Sequence, residues 1–305
     1  MELIRLKKGE YLNINHPIVA TIGQFDGLHL AHLLLLKKTI ELSQKRNLKS
    51  AIFTFDPHPD FILNKDKTNT YVTPFDEKVK LLREIGIDYM IVIEFNKEVA
   101  QMLPISFVEN ILIANGVKEV VVGFDFSFGQ KGLGKAHMIE ELSKGRIKCH
   151  IVDEMKHENQ KIGTSFIKTL LQNGRVREVK DLMGRFYKIT GKVVHGNQVG
   201  RTINFPTANF SINSSFAKLH PGVYVVRVSI DDKKYLGIAN LGTNPSFNKV
   251  DNMVFETHIF DFDKDIYGCT ITVNLYKKLR EVRKFNELSL LLEQIANDRT
   301  MAQEF

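Results

Sequence analysis

Between residues 18 and 155, short apolar runs alternate with longer stretches whose apolar residues recur at helical spacing. The runs Ile18–Ile22, Ser50–Phe55, Tyr89–Phe95, Glu119–Phe124 and Ile147–Val152 are rich in β-branched and aromatic residues and read as strands. Leu30–Lys45, Phe75–Glu84, Ile105–Asn115 and Ala136–Lys144 read as the helices between them. Strand–helix alternation of this kind predicts an α/β domain with a parallel sheet and crossover helices. Two more helices are predicted: Thr164–Gln172, ending at Asn173-Gly174, and Val176–Met183, ending at Gly184. From Tyr187 the rhythm shortens. Runs at Lys188–Val194, Gly222–Ile230, Tyr235–Ala239, Met253–Phe262 and Thr270–Tyr276 are separated by turn residues such as Asp231-Asp232 and Asn244-Pro245. Short strands without intervening helices predict a small β-barrel, with a terminal amphipathic helix, Asn286–Asn297, packed on it. The expected boundary lies at Gly184–Arg185, giving domains 1–184 and 185–305. No internal repeat or low-complexity segment interrupts this order.

Composition changes the picture little. At 305 residues, 43% hydrophobic and 25% charged, the chain can fold as two domains with a core each. No apolar stretch is long enough to span a bilayer, and Met1–Gly9 is charged with no apolar signal region. Cys149 and Cys269 form no metal-ligand spacing and read as free thiols of a reducing compartment, so a cytoplasmic location is expected, with no membrane partner. The net charge of +7 is dispersed, with doublets such as Lys37-Lys38 and Lys277-Lys278. Such a surface favours nucleotide polyanions and does not require a nucleic-acid partner.

The most informative segment runs from Gly23 to His32: GQFDGLHLAH. It joins a predicted strand to a predicted helix through a glycine turn. His29 and His32 sit three apart at the helix start and share a face. Free N–H groups and the helix dipole make that place attractive to phosphate, where imidazoles can donate to a phosphoryl group as charge builds. The residues alone also admit a plainer reading, a histidine pair that caps the helix or faces solvent. Further along, Gly200 to Asn209 reads GRTINFPTAN. A glycine turn lets backbone approach phosphate, and the Thr207 hydroxyl and Asn209 amide carbonyl suit a hard cation such as Mg²⁺. A polar turn between strands, satisfied by its own Thr and Asn, explains the same residues.

Gly23–His32 closely resembles the GxFDGxHxGH signature of nucleotidyltransferases, in the version of bacterial FAD synthetases. Phe55-Asp56-Pro57-His58-Pro59 resembles that family's FDPHP segment, and Gly123–Gly129 its GxDFxFG segment. Gly200–Asn209 resembles the GRxxGFPTAN motif of riboflavin kinases. Gly222-Val223-Tyr224, Gly237–Phe247, Glu256–Phe262, Asp265–Gly268 and Leu279–Phe285 follow that family's order. Over its full length the chain therefore resembles the bacterial bifunctional riboflavin kinase/FAD synthetases.

The resemblance implies a Rossmann-like nucleotidyltransferase domain, then a barrel-shaped riboflavin kinase domain with a terminal helix. It implies two steps: phosphorylation of riboflavin to FMN, then adenylylation of FMN to FAD with release of pyrophosphate. Flavins would be substrate and product, ATP the donor, and Mg²⁺ the metal. It assigns Glu256 as general base of the kinase, with Gly200 and Arg201 near phosphate and Thr207 and Asn209 as Mg²⁺–phosphate ligands. His29 and His32 become α-phosphate stabilisers on the turn of Gly23, Phe25, Asp26 and Gly27. Thr164, Ser165 and Lys168 become holders of the leaving pyrophosphate. Asp56, Asp125, Phe126 and Arg280 become flavin contacts. Ala31, Ser127, Gly163 and Lys168 depart from the family pattern in the adenylyltransferase half, while Asn204 replaces a glycine in the kinase half. The departures raise a second expectation, a kinase whose adenylyltransferase is weakened. A third, of another class, is a flavin-sensing RNA-binding regulator, although interleaved aromatic and basic strands of the RNA-binding kind are missing.

Overall fold

The computed structural model describes residues 1–305 apart from 8, 11, 13–15, 67, 196–204, 213–214, 232 and 244–252. Contacts divide the chain into two units, Met1–Asn69 with Thr73–Gly163, and Thr70–Val72 with Thr164–Phe305.

The first unit is built on six strands: β1 (Glu2–Leu6), β2 (Ile18–Ile22), β3 (Lys49–Asp56), β4 (Tyr89–Glu94), β5 (Val117–Gly123) and β6 (Lys148–Val152). Their order is β1-β4-β3-β2-β5-β6 and every pair is parallel. The edge strand β1 had no signal in the hydrophobic pattern. Glu2 and Arg5 interrupt its apolar residues, and its burial is slight because it pairs on one side only. The inner strands read as continuous apolar runs because both faces are covered. Ile18, Ala20, Ile22, Phe53 and Ile91 enter one core layer, whereas Ile52, Met90 and Val92 enter the other. That second layer lies under α1 (Leu30–Arg46) and α2 (Phe75–Ile85), which contribute Leu36, Val79 and Leu82. α1 ends at Asn47, whose left-handed backbone donates to the carbonyls of Ser43 and Gln44.

The strand order positions the site. From β2 the chain moves outward to β3 and β4, then returns to lay β5 on the other side of β2. The sheet changes direction between β2 and β5. At such a switch point the loops after the strands flank a crevice at their carboxyl ends. Those loops are Gly23–His29 after β2 and Phe124–Phe126 after β5.

In the second unit, α3 (Thr164–Gln172) and α4 (Val176–Met183) match their expected bounds. Six antiparallel strands close a barrel: β7 (Tyr187–Val194), β8 (Ala208–Ile212), β9 (Gly222–Ile230), β10 (Lys233–Thr243), β11 (Met253–Ile259) and β12 (Thr270–Arg280), in the order β7-β8-β11-β10-β9-β12. β8 was hidden in the motif expected to be a turn. It pairs with β7 and β11 through residues that carry no strand-like run of their own. Side chains alternate across each strand: Phe210, Tyr224, Ala239, Leu241, Phe255 and Leu275 are fully buried. On the other face, Val223, Val225 and Ile238 pack with Ala302 of the terminal helix α5 (Leu288–Gln303). Arg280 of β12 donates through Nε (3.0 Å) and Nη2 (2.7 Å) to the buried Asp298 carboxylate of α5. Gln294 adds a bond to the same carboxylate at 2.9 Å. A buried carboxylate needs such complete pairing to be tolerated.

Candidate active sites

In the first unit the turn after β2 is wound tightly. Phe25, Gly27 and Leu28 have φ of 50°, 87° and 41°. Only glycine adopts this region at no cost; the two apolar residues are held there by complete burial of their side chains in the α1–α2 layer. Asp26, 2% exposed, accepts from the Thr73 N–H at 2.8 Å. The Lys78 ammonium of α2 donates to the Gln24 carbonyl at 2.6 Å, and the Thr54 hydroxyl reaches the same oxygen at 3.3 Å. Burial pushes Lys78 down from 10.5 to about 8, against the opposing pull of Asp26 and Asp56. Nothing in the hydrophobic pattern singled out Lys78. It looks like an exposed helix lysine, and only the packing of α2 puts it under the turn.

His29 is the N-cap of α1: its Nδ1 accepts from the His32 N–H at 3.4 Å. A neutral His29 therefore carries its proton on Nε2. The two imidazoles stack with centroids 3.6 Å apart, and Phe25 lies 5.0 Å from His32. Capping uses one ring nitrogen only, so the capping reading, which the structure shows, does not exclude the phosphate reading. Of the expected flavin contacts, Asp56 at the end of β3 pairs with Arg5 at 3.0 Å. Asp125 is exposed and pairs with Lys161, whose ammonium also lies over the exposed Phe124 ring. Phe126 stacks on Phe128 at 5.7 Å and packs against the core.

In the second unit Thr164 and Ser165 open α3, and Lys168 donates to the Thr70 carbonyl at 2.6 Å. Gly200 and Arg201 lie outside the described residues. Asn209 and Glu256 come together through register, and Thr207 lies one position before β8. Asn209 of β8 pairs with Glu256 of β11, and Glu256 pairs on its other side with Asn240 of β10. Directly opposite residues share a face, so these three side chains form one row on the face turned to α5. Glu256, Asn240 and Arg280 line a cavity of about 240 Å³ between barrel and helix. A second cavity, about 280 Å³, is lined by Ala208, Thr257, Ile259 and the Asp263–Tyr267 segment. Thr207 belongs to the walls of both.

Two residues of this site carried no assigned role in the sequence. Asn240 lines the smaller cavity, and among the described residues its Oδ1 is sealed from solvent without a partner. His258, 8% exposed, follows Glu256 by two positions on the same face. Its ring stacks on Phe205 at 3.7 Å, and Nδ1 meets the Pro206 carbonyl at 2.8 Å. Burial, together with Arg299, holds His258 below its ordinary value although the Pro206 carbonyl and Asp261 pull the other way. Both side chains could be found from the period of two on β11 and β10, once the partner strands are known.

Residues 12–166 match the family model described as FAD synthetase, and residues 183–305 the one described as riboflavin kinase. A bifunctional riboflavin kinase/FMN adenylyltransferase from Bacillus subtilis is 35% identical over 93% of this chain and 91% of its own length. Proteins of the same description from Listeria monocytogenes (35%; 97% and 94%) and Escherichia coli (33%; 94% and 92%) are similar. A solved structure described as a macrolide-efflux protein from Streptococcus pneumoniae matches with a TM-score of 0.92 and 29% identity over 100% of both chains. That likeness concerns the fold; among the described residues no helix is long and apolar enough to cross a membrane. With both family models matched in tandem, and relatives that align along nearly all of their length, the chain belongs to the bifunctional riboflavin kinase/FMN adenylyltransferase family.

Proposed function

We propose that residues 1–184 and 185–305 divide between them the two reactions of the family: the second part phosphorylates riboflavin with ATP, and the first transfers the AMP of a further ATP to the FMN so formed. The observation that carries the kinase assignment is the row Asn209–Glu256–Asn240 beside two cavities that share Thr207. One cavity suits the flavin chain and the other the nucleotide, so transfer takes place at the common wall. There the Glu256 carboxylate accepts the proton of the ribityl 5′-hydroxyl while its oxygen bonds to the γ-phosphorus and the bond to the β-phosphate oxygen breaks. Phosphoryl transfer asks the protein mainly for positioning and charge stabilisation. Arg280, held by Asp298, supports the flavin end of the cavity. Gly200 and Arg201 belong to the same proposal on their motif.

The ligand atoms on offer are oxygens, the Thr207 hydroxyl at the common wall and the amide oxygen of Asn209, the residue paired with Glu256. Among the described residues no group of three or more His, Cys, Asp or Glu could hold a metal ion. That set fits a hard cation carried with the nucleotide, which takes one or two protein oxygens and completes its shell with phosphates and water. Thr207 and Asn209 would hold Mg²⁺, which when bound offsets the charge of the phosphates.

For the adenylyl step, an FMN phosphate oxygen bonds to the α-phosphorus of ATP and the bond to the β-phosphate breaks, releasing pyrophosphate. His29 and His32 donate to the α-phosphate as its charge grows, on a turn shaped by Gly23, Phe25, Asp26 and Gly27. Thr164, Ser165 and Lys168 serve the leaving pyrophosphate; lysine keeps the charge of the family arginine without its fork. Asp56, Asp125 and Phe126 serve the flavin. A cytoplasmic location belongs to the same reading. The family matches do not favour a weakened or altered adenylyltransferase or a flavin-sensing RNA-binding regulator. Incubation with riboflavin and Mg²⁺-ATP, followed by chromatography, is expected to give FMN and then FAD. No FMN from folded protein would overturn the kinase assignment, and FMN without FAD the adenylyltransferase one.

A further inference from the structure

Main-chain pairing between β8 and β11 runs from Ser211↔Val254 to Ala208↔Thr257 and stops there. The next pair would be Thr207↔His258, which the ladder lacks, and Pro206, one position further, has no N–H to donate. Where the ladder ends, the His258 side chain takes over. A carbonyl only accepts, so Nδ1 of His258 carries the proton and donates to the Pro206 oxygen at 2.8 Å. The same imidazole stacks on Phe205 at 3.7 Å. One side chain thus holds the backbone just before Thr207 by a hydrogen bond and a ring contact. Thr207 is the residue common to the two cavities, and Glu256 stands two positions before His258 on the same strand face.

We infer that His258 is a positioning residue for phosphoryl transfer: it ties the Phe205–Thr207 segment to the strand that bears Glu256, so that the Thr207 hydroxyl and the carboxylate keep a fixed spacing at the common wall. The inference rests on the assignment of this wall to the kinase reaction. A one-ångström error in such a spacing has a large effect on rate, because reacting groups must be held near 3 Å. His258 touches neither reacting group in this role. It acts through the backbone of Pro206.

Three variants separate the bond from the ring contact and from folding. His258→Phe keeps an aromatic ring for Phe205 and loses the donor. His258→Asn loses the ring and keeps an N–H at the position of Nδ1. Glu256→Gln tests the wall itself. FMN formation is followed at varied riboflavin and varied ATP, with thermal melting, and with FAD formation from supplied FMN as the control in the other unit. The expected result for His258→Phe is a kcat lowered by roughly 10- to 100-fold, the effect of displaced catalytic groups, with KM for riboflavin little changed. His258→Asn is expected to recover most of that kcat even if it melts earlier, and FAD formation from FMN is expected to stay at the parent rate in both. A kcat for His258→Phe within two-fold of the parent overturns the inference, as does activity that falls in both variants in step with melting temperature. If Glu256→Gln leaves FMN formation intact, the assignment of the wall fails; if it abolishes FMN formation while His258→Phe does not, only the role of His258 fails.

Discussion

The proposed site after β2 and the proposed site between β8, β10 and β11 face one problem, holding a phosphoryl group beside polar side chains, and are built by opposite means. The first puts His29 and His32 on a single turn and helix start, and braces that turn from below with Lys78, Thr54 and buried Phe25 and Leu28. Its chemistry is local and its support is remote. The second takes Asn209 from β8, Asn240 from β10 and Glu256 from β11, aligned by strand register, with Thr207 one position before β8. Its chemistry is remote and its support is the barrel ladder. A local site tolerates change in its surroundings as long as the turn keeps its shape. A registered site is all-or-none, because a slip of one residue would send Glu256 to the barrel interior. The departures Ala31, Ser127 and Gly163 lie in the first unit and Lys168 and Asn204 in the rest of the chain, and none falls on the row Asn209–Glu256–Asn240.

The sharpest test of the division is Glu256→Gln. It removes the one carboxylate of the row, so FMN formation should fall about 10²- to 10⁴-fold, the usual cost of a general base, while FAD formation from supplied FMN continues. His32→Ala should do the reverse, lowering FAD formation about 10²- to 10³-fold, as loss of a donor to a developing charge does, with FMN formation kept. Product chromatography reads both. Parallel loss of both activities in a folded variant would show that the two sites are not independent.

Lys78 probes the brace. Its folded value of about 8 lies below the ordinary 10.5. Below pH 8 both folded and unfolded chains carry the charge, and the cost of burying it is present in full. Between 8 and 10.5 the unfolded chain holds the proton and the folded one sheds it, so stability rises with pH through that window. Relative to Lys78→Met, the parent should gain up to about 3 kcal/mol between pH 8 and 10.5, at 1.36 kcal/mol per unit. Urea unfolding of both proteins across that range measures it; parallel curves would mean that Lys78 is not buried as a cation.

Ala31→Gly should have the smallest effect. Removing one methyl from the proposed nucleotide site should raise kcat/KM for ATP in FAD formation by a factor worth about 1–2 kcal/mol at most. Glycine within α1 should cost about 0.5–1 kcal/mol of stability. Steady-state kinetics with melting curves separate the two. A kcat/KM that is unchanged or lower would show that the site has adapted around Ala31.

Much of this protein is written locally. Continuous apolar runs marked the inner parallel strands because burial on both faces leaves no polar positions. Glycine and asparagine caps set the ends of α3 and α4 within their expected bounds. The segment Gly23–His32 marked a candidate site because turn, helix start and imidazoles are contiguous. What the tertiary structure alone decided is whatever needs a partner distant in the chain. β1 has too little burial for a pattern of its own and exists because β4 offers it an edge. β8 is a strand only because β7 and β11 supply its hydrogen bonds. Lys78 became a buried cation under Gln24, and His258 the clamp on Pro206, through contacts across 54 and 52 positions. Side-chain type and short-range spacing carry propensity and chemistry. Register and burial depend on which surfaces meet, and that is settled only when the whole core closes.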